Sequence, residues 1–150
     1  LKDGEPYVLE YNVRMGDPEC QPILMRMESD LFEYLVGSVN GTLETMPPIS
    51  WKNKSAVCIV LASKGYPESY PKGDEIFGLG DTFDDAYIFH AGTKKYDKKI
   101  ITNGGRVLGV TGLGNTLESA IKHAYDITEK ISWENKYLRT DIGKKGLTSL

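Results

Sequence analysis

Cysteine is scarce in this chain: Cys20 and Cys58 are the only two in 150 residues, they lie far apart, and neither belongs to a CxxC or Cys/His ligand spacing. The expectation is a pair of reduced, mostly structural thiols. Long apolar runs are missing too. Nothing approaches the roughly 18 consecutive residues that a bilayer span requires, and the opening LKDGEP lacks the layout of a signal peptide, so the chain reads as cytoplasmic with no membrane partner. Positive charge is not in excess: 18 Lys and Arg stand against 21 Asp and Glu, for a net charge of -3. That balance leaves no basic footprint and argues against nucleic acid as a partner.

Several catalytic signatures are also missing. There is no GxxxxGK phosphate loop, and Gly112-Leu113-Gly114 opens like a dinucleotide fingerprint only to place Leu117 where the third glycine belongs. No Ser/His/Asp or Cys/His arrangement stands out. Asp84 and Asp85 are adjacent, so they point oppositely in a strand or are solvated in a loop, and a glycosidase-like pair is not supported. Internal repeats and low-complexity tracts are lacking. So is an initiating Met, and Asp3-Gly4, a hairpin-turn signal, precedes a strand with no strand before it. The expectation is a carboxy-terminal piece of a larger protein.

What is present is an ordinary soluble composition, 40% hydrophobic and 26% charged, able to bury a core as one domain or two small ones. Residues 7–13, YVLEYNV, alternate as a strand. Asp17-Pro18-Glu19 has the grammar of a helix start, Asp as N-cap and Pro at the first position, which predicts a helix over 18–28. Asp30 starts a second helix, with Glu33 at capping-box spacing, that runs to Asn40-Gly41. Pro47-Pro48 is the clearest boundary and divides residues 1–46 from 47–150. Beyond it, strands are predicted at 56–63, 87–92, 98–103 and 106–114, joined by Gly, Pro and Asp turns as an antiparallel meander. A last helix follows, capped by Asn115 with Glu118 three residues on. Its apolar face is Leu117, Ala120, Ile121, Ala124, Ile127, Thr128 and Ile131. The fold class is α+β, with the antiparallel strands packed on that helix.

The first strand carries the leading candidate pattern. Successive side chains in a strand point to opposite faces, so Glu10, Asn12 and Arg14 share one face, and Tyr7, Leu9, Tyr11 and Val13 the other. A carboxylate and an amide oxygen two residues apart suit Mg²⁺, a hard ion that completes its octahedron with phosphates and water. Arg14, one step further, can grip a carboxylate or phosphate with its planar fork. A solvated strand face produces the same pattern, and spacing does not decide between the two.

The longer string VLEYNVRMGDPECQPILMRMESDL closely resembles the signature segment of the phosphoribosylamine-glycine ligase family, also called glycinamide ribonucleotide synthetase, of the ATP-grasp superfamily. ASKGYPESYPKGDEIFGL at 62–79, FHAGTK at 89–94, ITNGGRVLGVTGLG at 101–114 and the closing KYLRTDIGKKGL resemble the same family in the same order. The resemblance implies an ATP-dependent ligase of purine synthesis that phosphorylates glycine and passes the glycyl group to 5-phosphoribosylamine, giving glycinamide ribonucleotide. It places Glu10 and Asn12 on the ligands of Mg²⁺ (or Mn²⁺) and Arg14 on the arginine that clamps the carboxylate substrate or its acyl phosphate. Residues 1–46 would end the ATP-grasp domain, and 47–150 would form a small carboxy-terminal domain. The adenine pocket and the lysines over the phosphates of ATP come from upstream segments in that superfamily, so the chain alone is expected to be inactive and to need the missing amino-terminal part as partner. Another carboxylate-amine ligase of the superfamily in purine synthesis is the alternative. A non-catalytic interaction module that kept the fold is a third, and the unpaired edge of the first strand could promote self-association.

Other candidates rest on weaker patterns. Gly16-Asp17-Pro18-Glu19 places Asp17 where helix-start N–H groups could meet an anion, or is only a turn with Asp17 as cap. Asn103, Gly104, Gly105 and Arg106 could bring backbone and a guanidinium to the phosphoribosyl group, or form a tight hairpin turn. His90 is either a substrate contact or a hydrogen-bonded core histidine, and His123 reads as surface.

Overall fold

A computed structural model describes residues 1–148. The elements are α1 (Cys20–Arg26), α2 (Leu31–Asn40), a 3-10 turn (Leu43–Thr45), β1 (Ser55–Ser63), β2 (Ala86–His90), β3 (Thr93–Tyr96), β4 (Lys99–Thr102), β5 (Arg106–Gly114), α3 (Leu117–Lys130), β6 (Lys136–Tyr137) and α4 (Lys144–Thr148). Among the described residues no helix is long and apolar enough to cross a membrane.

The main sheet has the order β2-β5-β1-β6, and β3 with β4 forms a separate hairpin. All pairings between named strands are antiparallel, as expected, but the arrangement is not a meander. β5 returns between β1 and β2, where it is paired on both edges, and every residue from Val107 to Leu113 is buried. β3 escaped the pattern because TKKY shows no apolar alternation; three of its four residues are exposed.

α3 crosses one face of the sheet. Its Ala120 and Ala124 pack with Val57 and Ile59, while Ile127 and Ile131 join Leu61, Val107, Leu108, Val110 and Trp133 in the larger core cluster. The apolar face expected from the sequence is the face that packs. The cap differs: Thr116, not Asn115, is the N-cap, and Thr116 and Ser119 bond each other's backbone N–H reciprocally at 3.1 and 3.0 Å. A short hydroxyl at the third position does here what Glu118 cannot do from the second. His123 is half-buried rather than on the surface, with Nδ1 3.2 Å from the Leu113 carbonyl.

The amino-terminal third is more open. Asp3 and Gly4 do form a tight turn, with φ of 54° and 86° and reciprocal backbone bonds between Lys2 and Glu5. Residues 7–13 form no strand: no ladder partner lies beside them among the described residues, and a strand without one has no hydrogen bonds to define it. α1 is shorter than the predicted 18–28 and starts at Cys20 after Glu19, because the Asp17 carboxylate is engaged by Arg106 and Gln21 instead of capping the helix. α2 matches its prediction, with the Asp30 carboxylate accepting from Phe32 N–H at 2.9 Å and Gly41 closing the helix at φ 67°. α1 lies against β1 and β5, and Glu28 N–H donates to the Ser50 carbonyl at 3.0 Å, so packing crosses Pro47-Pro48.

Candidate functional site

Glycine-rich segments distant in sequence meet at the start of β5. Asn103 N–H donates to the Gly92 carbonyl at 2.8 Å, and Gly92 N–H donates to the Arg106 carbonyl at 2.9 Å. A Cβ on Gly92 would lie 2.6 Å from the Gly104 Cα, so these two chains touch only because both residues lack side chains. Gly105 is covered by the Tyr66 ring, which a Cβ would meet at 2.0 Å. Ser63, fully buried at the end of β1, donates from its backbone to the Gly105 carbonyl at 2.8 Å and from its hydroxyl to the Gly104 carbonyl at 3.1 Å. Asn103-Gly104-Gly105 is therefore not the tight turn of a hairpin. It is a corner that leads the chain from the β3-β4 hairpin into the centre of the main sheet.

The corner aims Arg106 at the turn before α1. Its Nη1 donates to the Asp17 carbonyl at 2.7 Å and its Nη2 lies 3.1 Å from the Asp17 carboxylate. Two candidates 89 residues apart are thus brought together, a contact that no local pattern announces. Tyr66 and Ser63 belong to the same corner and were not singled out from the sequence; the turn residues Gly65 and Pro67 on either side of Tyr66 were the available signal, and Gly65 takes φ 102°.

Beside this junction is a cavity of about 280 Å³ lined by Pro18, Cys58, Tyr66, Arg106, Tyr137 and Arg139, among others. Burial pushes the Cys58 thiol up from its ordinary 9.0, and the Asp17 and Glu19 carboxylates act in the same direction. Cys20 and Cys58 are both free thiols, as expected.

His90 is exposed at the end of edge strand β2, with Nδ1 3.0 Å from the Thr93 hydroxyl, and is not a core histidine. A short edge strand leaves its last side chain nothing to pack under. It lines a second cavity, of about 380 Å³, with Asp81 and Tyr87. The β2 end that bears it continues through Ala91 into Gly92 of the corner, where Ala91 N–H donates to the Val107 carbonyl at 3.0 Å.

Glu10, Asn12 and Arg14 are all exposed. The Asn12 amide donates to the Glu10 carboxylate at 3.2 Å, so the two side chains lie on one side of the chain even without a ladder. Arg14 bonds the neighbouring Met15 carbonyl at 3.3 Å. Among the described residues no three His, Cys, Asp or Glu side chains gather as a metal cage. Glu10 and Asn12 supply two adjacent oxygen donors, which fits an ion that takes one or two protein oxygens and fills its other positions from phosphate and water.

These features define an α+β domain whose sheet end collects glycine backbone, an arginine and a flanking turn into one polar corner. The family model described as "Phosphoribosylglycinamide synthetase, C domain" matches residues 56–145, and the chain belongs to that family. It is 44% identical to the phosphoribosylamine-glycine ligase of Rhodopirellula baltica over 99% of the chain and 35% of that protein. It is 49% identical to the enzyme of the same name from Synechocystis over 96% of the chain and 35% of that protein. The crystal structure of phosphoribosylamine-glycine ligase from Thermotoga maritima superposes with a TM-score of 0.70 at 41% identity, over 93% of this chain and 34% of that one. The chain spans about a third of the length of the curated relatives it matches.

Proposed function

We propose that the chain is the carboxy-terminal portion of a cytoplasmic ATP-dependent ligase that joins glycine to 5-phosphoribosylamine through a glycyl phosphate, giving glycinamide ribonucleotide in purine biosynthesis. The observation that carries this is the meeting of ASKGYP, FHAGT, NGGR and the GDPE turn at one corner, in a chain similar to named ligases along nearly its whole length. Residues 1–46 are the end of an ATP-grasp domain and 47–150 a carboxy-terminal domain. The rest of a longer polypeptide covers the exposed apolar residues of the first part, where Leu9 is 95%, Val13 94% and Val39 87% exposed.

In this reading Glu10 and Asn12 hold Mg²⁺ (or Mn²⁺). Bound ATP and its metal supply the phosphoryl group that activates the glycine carboxylate and the positive charge that neutralises the phosphates. Arg14, two residues beyond Asn12, grips the carboxylate of glycine through its fork and keeps it on the developing anion during phosphoryl transfer. Asn103, Gly104, Gly105 and Arg106 receive the phosphoribosyl phosphate, backbone at close range and guanidinium at the rim. Asp17 and His90 border that acceptor site.

The test is ADP release with Mg²⁺, glycine and freshly generated phosphoribosylamine, for this chain and for the longer parent polypeptide. Glycine-dependent turnover by the parent and none by the chain is the expected result. A parent inactive with glycine overturns the substrate, and turnover by the chain alone overturns its status as a portion.

A further inference from the structure

The guanidinium proposed to take the acceptor phosphate already grips an anion of the protein itself. Both terminal nitrogens of Arg106 face Asp17, one on its carbonyl at 2.7 Å and one on its carboxylate at 3.1 Å. This is the end-on fork that a phosphate uses for bidentate binding. The side-on edge keeps its remaining N–H groups, but a phosphate there would sit close to the Asp17 charge. The adjoining cavity is mostly apolar, but its two charged lining groups, Arg106 and Arg139, are both cationic. Arg139 is likewise held by a protein acid, with bonds to Asp141 of 2.9 and 2.7 Å. Asp17 lies three residues after Arg14 and five after Asn12, and its turn leads directly into α1, where Cys20 N–H donates to the Gly16 carbonyl at 2.9 Å.

We propose that Asp17 is a positioning residue that competes with a sugar phosphate for Arg106, so that binding the acceptor phosphate releases the 16–19 turn and with it the segment carrying Glu10, Asn12 and Arg14. The proposal deepens the acceptor-site reading above and rests on its assignment of Arg106. Coupling follows from the geometry: the same two nitrogens cannot hold the turn in its place and accept a phosphate end-on.

The experiment titrates the chain with ribose 5-phosphate, with ribose as the uncharged control, and follows backbone amides by NMR. Asp17→Asn keeps the shape but removes the competing charge, and binding should tighten about fivefold, the size of one water-screened contact between unit charges at close range. Arg106→Met should abolish binding. In the unmutated chain, saturation with ribose 5-phosphate should accelerate exchange of the Cys20 amide, a readout that needs no variant to fold. If Arg106→Met abolishes binding while Asp17→Asn leaves it unchanged or weaker, or Cys20 exchange does not accelerate, the competition is overturned and the acceptor-site assignment stands. If Arg106→Met binds like the unmutated chain, or neither the unmutated nor the Asp17→Asn chain binds, both fall.

Discussion

Gly112→Ala adds a single methyl group at the point where α3 crosses the sheet, and the structure sets its cost. Gly112 lies in the middle of β5, paired with Val57 on β1 and Ala86 on β2. A Cβ there would lie 2.7 Å from the Ala124 nitrogen, 3.0 Å from the Ala120 carbonyl oxygen and 3.1 Å from the Ala124 Cα. All three are backbone atoms of the helix, so no rotamer change relieves the clash and the helix must move off the sheet. Overpacking of this kind costs about 1–3 kcal/mol. The restricted unfolded chain returns about 0.4–1 kcal/mol in the other direction. The net expectation is a loss of about 1–2 kcal/mol, or about 2–8 °C in melting temperature for a chain of this size. Gly80→Ala is the control, since nothing lies within 4 Å of its added Cβ, and it should stay within about 0.5 kcal/mol of the parent. Thermal melts followed by circular dichroism decide. A Gly112→Ala chain that melts at or above the parent temperature would show that the close approach of helix and sheet does not exist.

The remaining expectations concern the cap, the buried thiol and the metal face. Thr116→Ala should cost about 0.5–2 kcal/mol in urea unfolding and Asn115→Ala clearly less, because the cap bonds belong to Thr116 and Ser119. The reverse order would restore Asn115 as the cap. Cys58 has a folded pKa raised above 9.0 by burial, so the native state keeps its proton where the unfolded chain has lost it. Its contribution is complete below pH 9.0 and disappears as pH rises through the folded value. As pH rises above 9.0 the parent should therefore lose stability relative to Cys58→Ala, and parallel pH curves would refute this. On the proposed metal role, Glu10→Ala in the longer polypeptide should lower kcat/KM at least about 100-fold, given the several kcal/mol that metal charge stabilisation supplies. Activity within a fewfold of the parent would favour the solvated-face explanation of Glu10, Asn12 and Arg14.

Elements whose signal is local were legible in the sequence. β1 and β5 stand out as apolar runs between turn residues, α2 by Asp30 and Gly41, and α3 by apolar positions at helical spacing, and each lies within a residue or two of its prediction. Boundaries decided by competition were not. Asp17 is as good an N-cap by sequence as Asp30, yet it bonds Arg106 instead, and a residue 89 positions away is invisible to a capping rule. β3 was missed because its Lys and Tyr side chains are solvent-exposed, and hydrophobic alternation marks only strands with a buried face.

The family resemblance and the alternation of Glu10, Asn12 and Arg14 needed only the sequence, because motif order and a two-residue repeat are properties of a linear string. Whether residues 7–13 form a strand is not such a property. Their hydrogen bonds need a neighbouring chain, and among the described residues none lies beside them. Tertiary structure alone decided that β5 runs between β1 and β2, that glycines 92 and 104 press together, and that Arg106 reaches Asp17. Those outcomes depend on which surfaces exclude water against which others, and sequence records each surface without naming its partner.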